Sequence, residues 1–203
     1  MYRYWKEEPP NMRWRIIPDT DHDRKQAIKA GAMYFTCASV SHPYNKDDQN
    51  EPIRKGDFPL DFDDKNNPEN ALQDMKTLCL FHLPKYYDID PYHIKFFCSG
   101  SKGFHAVIPA GPLGAEAGDP YLPLIYKKIA AEWASKLNLK TLDMSMYCMG
   151  KGKMFRIPNV RRSNGRYKVP LTVDEIMRLP IQELFKLSES PRIIDNVDAE
   201  YDN

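Results

Sequence analysis

The chain of 203 residues has no run of about 18 apolar side chains, so no membrane-spanning helix is predicted. Its first residues, MYRYWKEEPP, lack the apolar core of a secretory signal. Cys37, Cys79, Cys98 and Cys148 are scattered and form no CxxC pair. That spacing argues against a zinc knuckle or a disulfide framework and suits a reducing cytoplasm. There is no internal repeat and no low-complexity tract. There is also no excess of charge: the net value of +1 names no partner.

What is present is the composition of an ordinary globular protein, 42% hydrophobic and 28% charged, in a chain long enough for one core. The charge is unevenly distributed. Residues 45–74 hold nine acids against four bases, and residues 148–168 hold seven bases and no acid. An acidic cluster and a basic stretch in one domain fit metal-dependent phosphate chemistry, and equally two solvated faces of opposite sign.

The pattern along the chain is mixed α and β. Strands are expected at 12–17, 33–39, 58–63, 93–98, 104–109, 142–147, 154–158 and 166–169. A short helix is expected at 21–31 behind Thr20, and another after Asn67, with Pro68 in its first turn and Leu72, Met75, Cys79 and Leu83 at helical spacing. Leu122, Ile125, Ile129, Trp133 and Leu137 predict a helix with one apolar stripe. Thr172 with Glu175 reads as a capping box, and a further helix follows near 181–187. Residues 1–190 read as one domain, and 191–203 as an acidic tail or linker.

Three elements carry possible chemistry. In FPLDFD (58–63), Asp61 and Asp63 share one face of a strand while Leu60 and Phe62 share the other. Two such carboxylates repel unless a cation sits between them, and Mg²⁺ or Mn²⁺ prefers oxygen ligands; a solvated strand end fits the same pattern. Asp57 and Asp64 read as loop charges outside the site. In SGSKGFH (99–105), the turn offers backbone N–H groups, the Ser99 hydroxyl, the Lys102 charge and a His105 ring donor. That set can hold phosphate oxygens without a Walker-type loop, and a plain hairpin turn is the competing reading. The third element is Asp143 in LDMSMY, followed by MFRIPN, in which Arg156 alternates with the apolar Phe155 and Ile157. Arg161, Arg162, Arg166 and Lys168 then form a basic run that reads as a phosphate-binding surface or as ordinary surface charge.

In this order, over roughly residues 55–172, the three elements resemble the motifs of the archaeo-eukaryotic primase superfamily, the primases and primase-polymerases. The resemblance implies an α+β fold, with mixed or antiparallel sheets in an RRM-like palm flanked by helices. It implies that Asp61, Asp63 and Asp143 hold two divalent metals, Mg²⁺ or Mn²⁺. Ser99, Lys102, His105, Arg156 and Lys168 would bind the incoming NTP or dNTP, and Arg161, Arg162 and Arg166 would contact nucleic acid. Family members often carry a histidine shortly after the arginine strand, where this chain has Arg161 and Arg162. The zinc-binding insertion of cellular primase small subunits is missing, so no zinc is expected, and a phage, plasmid or similar replicon is the expected source. Single-stranded DNA is the expected template, and a replicative helicase is a possible companion. A primer-dependent repair or lesion-tolerance polymerase would use the same residues. A non-catalytic nucleic-acid-binding domain would not need the carboxylate trio, and a DxD glycosyltransferase would not need SGSKGFH with the arginine strand.

Overall fold

The structure is a computed structural model in which residues 1–10, 12–100 and 102–194 are described. It is α+β, with two antiparallel sheets and six α-helices among those residues. No described helix is long and apolar enough to cross a membrane.

The first sheet is built from β1 (Tyr2–Lys6), β2 (Arg15–Pro18), β3 (Tyr34–Thr36), β4 (Ser39–Val40), β5 (Arg54–Lys55) and β9 (Met154–Arg156). Its order is β5-β4-β1-β3-β9, with β2 also paired to β1. Trp5, Phe35 and Ile157 pack with Ala27 of α1 (Asp21–Lys29) in a small core. Thr20 caps that helix by accepting from the Asp23 amide.

The second sheet has the order β10-β7-β8-β6, with β6 (Phe58–Asp63), β7 (Lys95–Cys98), β8 (Gly103–Ile108) and β10 (Val169–Leu171). Alternation along β6 and β8 divides it cleanly. Phe58, Leu60, Phe62, Phe104, Ala106 and Ile108 are wholly buried on one face. Against that face lie α2 (Pro68–Met75), α3 (Leu83–Tyr87), α4 (Leu122–Leu137), α5 (Val173–Arg178) and α6 (Ile181–Lys186). Phe58 stacks on Tyr126 at 4.3 Å and on Trp133 at 5.3 Å, so its truncation to alanine is expected to cost about 3–5 kcal/mol. The opposite face of this sheet carries Asp61, Asp63 and His105.

Several sequence expectations need correction. The strand expected at 12–17 runs Arg15–Pro18, and the one at 33–39 is split into β3 and β4. Met144–Met146 is a 3₁₀ turn capped by Asp143, where a strand was expected, because the Asp143 carboxylate accepts the Ser145 amide at 2.8 Å and closes the chain into a turn. Along α4 the core face is Leu122, Tyr126, Ala130 and Trp133; Ile125 is exposed and Ile129 half-buried. Tyr126 takes the inward place because its ring stacks on Phe58 while its hydroxyl donates to the Gly56 carbonyl. A π-helical stretch, Lys76–His82, joins α2 to α3. The capping box of Thr172 and Glu175 has both of its hydrogen bonds. Of the expected tail, residues 195–203 lie outside the described residues, while Arg192 is tied to the body through Asn159 and Glu175.

Candidate active site

Strand β6 is the edge of its sheet, and β8 pairs with it so that Asp61 stands opposite His105 and Asp63 opposite Gly103. Glycine at 103 is a steric requirement. A Cβ there would overlap the Phe62 carbonyl oxygen and the Asp63 carboxylate. On the other side of β6 a short strap, residues 141–143, is pinned by two backbone bonds. Asp63 N–H donates to the Thr141 carbonyl at 2.9 Å, and Asp143 N–H donates to the Asp61 carbonyl at 2.8 Å. Asp74 of α2 anchors this strap by accepting from the Lys140 amide, the Thr141 amide and the Thr141 hydroxyl at 2.7, 2.9 and 2.9 Å. Asp143, eighty residues downstream of Asp63 in the chain, is thereby brought beside the other two carboxylates.

Electrostatics follow from this crowding. Burial, reinforced by the charges of Asp63 and Asp143, pushes Asp61 up to about 7. Its Oδ1 is buried without a hydrogen-bond donor, 3.5 Å from His105 Nε2. His105 is held well below its ordinary value, by burial first and then by the charges of Lys168, Arg162 and Arg156. The imidazole is therefore neutral, and its contact with Asp61 is not an ion pair. Its ring lies flat on Phe155, 4.4 Å away and 7° from parallel. Lys102 Nζ meets Asp63 at 2.5 Å, and Lys153 Nζ lies 3.9 Å from Asp143 and donates to the Ser145 hydroxyl at 2.7 Å.

The SGSKGFH turn is a closed hairpin. Ser99 N–H donates to the Gly103 carbonyl, and the Gly103 amide donates to the Ser99 hydroxyl at 3.2 Å. Gly100 sits at φ 73° against the Tyr167 carbonyl, where a side chain would clash. Arg162 braces the turn by donating to the Ser99 carbonyl at 2.9 Å.

Lys168 is 2% exposed, and its ammonium lies 4.3 Å from the ring centres of both Phe97 and Phe155. Burial drives it down to about 7. Together with Arg156, Arg3, Lys55 and Lys95 it lines a cleft of about 250 Å³ between the two sheets, with Asp57 as the one carboxylate among the described residues on the wall. Arg156 is turned toward Tyr34, whose hydroxyl accepts from it, and faces Glu8 at 3.8 Å.

The structure thus brings Asp61, Asp63, Asp143, Ser99, Lys102 and His105 together at the β6–β8 edge of the second sheet, outside the residues that line the cleft, and Arg156, Arg162 and Lys168 toward His105 from the side. Arg161 is exposed, and Arg166 pairs with Glu189 at the surface. Asp57 accepts the Ala110 amide, and Asp64 caps the turn before α2. Phe155 packs against the core and also lies on the His105 ring. Lys153 belongs to the basic stretch of the third element, where the sequence assigns it no role of its own, and Asp74 carries no sequence signal.

Among the described residues, no group of three or more His, Cys, Asp or Glu side chains is drawn tightly enough to enclose an ion as it stands. The chemistry of the set nevertheless fits a hard cation. Asp61 Oδ1 lacks a donor, and two lysines partly neutralise the other carboxylates. Compared with known proteins, the chain matches no protein-family model and no curated protein.

Proposed function

We propose that the protein is a template-directed nucleotidyltransferase, a primase or primase-polymerase catalytic domain of the archaeo-eukaryotic primase type. One observation supports the reading: a donor-less buried aspartate oxygen, crowded by two further carboxylates, adjoins a glycine hairpin whose histidine is held neutral by burial and then by the cations around it.

Asp61, Asp63 and Asp143 would hold Mg²⁺ or Mn²⁺. When bound, these ions lower the pKa of a primer 3′-hydroxyl and offset charge on the transferring phosphate. The chain's own residues do the rest. Neutral His105 presents one ring N–H, positioned by the Phe155 ring, to a phosphate oxygen. Lys102, released from Asp63, is placed at the mouth of the hairpin to meet the triphosphate. Lys168 offers a buried ammonium between two ring faces, with no salt-bridge partner among the described residues, so a phosphate would add counter-charge there. Such fixed donors keep the triphosphate in line for displacement. The partners of this reading are NTPs or dNTPs, a single-stranded DNA template and, in replication, a helicase.

The test is incorporation of labelled NTPs or dNTPs on single-stranded template with Mg²⁺ or Mn²⁺, with and without a primer. Synthesis without a primer is expected of a primase; extension with a primer alone identifies the primer-dependent polymerase. No incorporation in either arm by folded protein refutes both. Asp61→Asn with Asp63→Asn is expected to abolish incorporation.

A further inference from the structure

On β1 and β2 the register pairs Tyr4 with Ile16 and Tyr2 with Pro18, so Tyr2, Tyr4 and Lys6 share one face with Ile16. Trp14, just before β2, folds onto the same face and meets Tyr4 edge-on at 5.8 Å. Tyr4 is buried beneath it, with its hydroxyl accepting the Tyr44 amide. Tyr2, Trp14 and Ile16 remain exposed, at 39%, 37% and 37%. Two cations border this apolar surface. Lys6 Nζ lies 3.9 Å from the Trp14 ring centre, and Lys151 Nζ lies 5.4 Å from it.

The acids of this hairpin are engaged elsewhere. Glu7 pairs with Arg15, Asp19 with Arg3 and Arg24, and Glu8 meets Arg156 and the Ser163 hydroxyl. Neither Lys6 nor Lys151 has an ion-pair partner among the described residues. The face therefore combines an exposed indole with ammonium groups that lack an ion-pair partner among the described residues, the combination that receives bases by stacking and phosphates by charge.

Its position adds a direction. Lys151 belongs to the same segment as Lys153, which reaches Asp143, and Phe155, which lies on His105. Two residues of chain span at most about 7 Å, so one cation of the platform and the lysine beside Asp143 arise from the same short segment.

We propose that this face of the β1–β2 hairpin, centred on Trp14 with Lys6 and Lys151, seats a single strand of DNA. Calling that strand the template rests on the polymerising reading; the binding itself is measured without nucleotide or metal, so the two stand or fall separately.

The experiment uses the full chain in EDTA with a labelled oligothymidylate of about 20 nucleotides, longer than the ~4–16 nucleotides that a small single-strand site covers. Trp5 and Trp133 are buried, so quenching of tryptophan fluorescence by the oligonucleotide reports on Trp14. Trp14→Ala is expected to weaken binding roughly tenfold. Lys6→Gln with Lys151→Gln should lower the slope of log affinity against log salt by about 1.4. Lys85→Gln with Lys136→Gln, which removes the cations over the distant exposed Tyr86, is expected to leave affinity unchanged. Trp14→Phe, which keeps a ring, should retain binding and lose the quenching. The proposal is overturned if wild-type protein fails to bind, if the Trp14→Ala and Lys6/Lys151 variants bind as wild type, or if the Lys85/Lys136 pair weakens binding equally. Tighter binding of oligouridylate or of duplex overturns the assignment to a single DNA strand.

Discussion

Replacing Lys168 with methionine should make the protein more stable and its proposed nucleotide site worse. The ammonium is buried against two phenylalanine rings, and its pKa falls from 10.5 to about 7. Burial is the main cause; Arg156 adds to the fall, while Cys37 and Asp61 oppose it. One pH unit of displacement corresponds to about 1.4 kcal/mol, so carrying this charge in the fold costs roughly 4–5 kcal/mol. Methionine keeps the unbranched stem and gains sulfur–ring contacts without the charge. The sign is fixed by where each state holds the proton. The unfolded chain keeps it to about pH 10.5 and the native chain releases it near 7, so native stability rises with pH between those values. The advantage of Lys168→Met is therefore complete below pH 7, shrinks by about 1.4 kcal/mol per pH unit above it, and vanishes near 10.5. Thermal melts of metal-free protein should place the variant roughly 10 °C or more above wild type at pH 6, with most of that gap closed by pH 9. A gap independent of pH, or a variant that melts lower at pH 6, would refute the reasoning. Removal of the cation that rests on Phe97 and Phe155 is also expected to weaken nucleotide binding by at least tenfold, read by titration with a non-hydrolysable triphosphate.

Gly103→Ala should destabilise the protein by about 2 kcal/mol or more, because the new methyl overlaps the Phe62 carbonyl across β6 and β8; urea unfolding measures it. Asp61, raised to about 7, is protonated over much of the acid range in metal-free protein. Mn²⁺ affinity followed by paramagnetic relaxation should accordingly rise from pH 6 to pH 8, and Asp61→Asn should flatten the profile.

The parts of the fold that the sequence made legible are those written in local chemistry. FPLDFD alternates apolar and acidic side chains, and β6 spans those six residues. Asn67–Pro68 and Thr172–Glu175 announce helix starts by capping, and both start there. Legibility fails where a distant partner decides. Nothing near Asp143 reveals the strap, because its hold comes from Asp74 and from the backbone of Asp61 and Asp63. The inward turn of Tyr126 depends on Phe58, far back in the chain. At the site, residue types were readable and pairings were not: Lys102 with Asp63, Lys153 beside Asp143 and Phe155 on His105 are all tertiary. The first strand, Tyr2–Lys6, carries little local signal, because its alternation spans only five residues and its partners β2 and β3 are met only in the fold.

The strap at 141–143 also bears on how this molecule keeps to itself. A sheet edge offers a row of free amides and carbonyls that a strand from another molecule can adopt. On β6 the Asp63 amide and the Asp61 carbonyl are such outward groups, and both are already taken by Thr141 and Asp143. The segment that delivers the third carboxylate is thus also a selvedge, closing the sheet against neighbours. Asp74→Ala, which unpins it, should therefore show first as concentration-dependent self-association in light scattering.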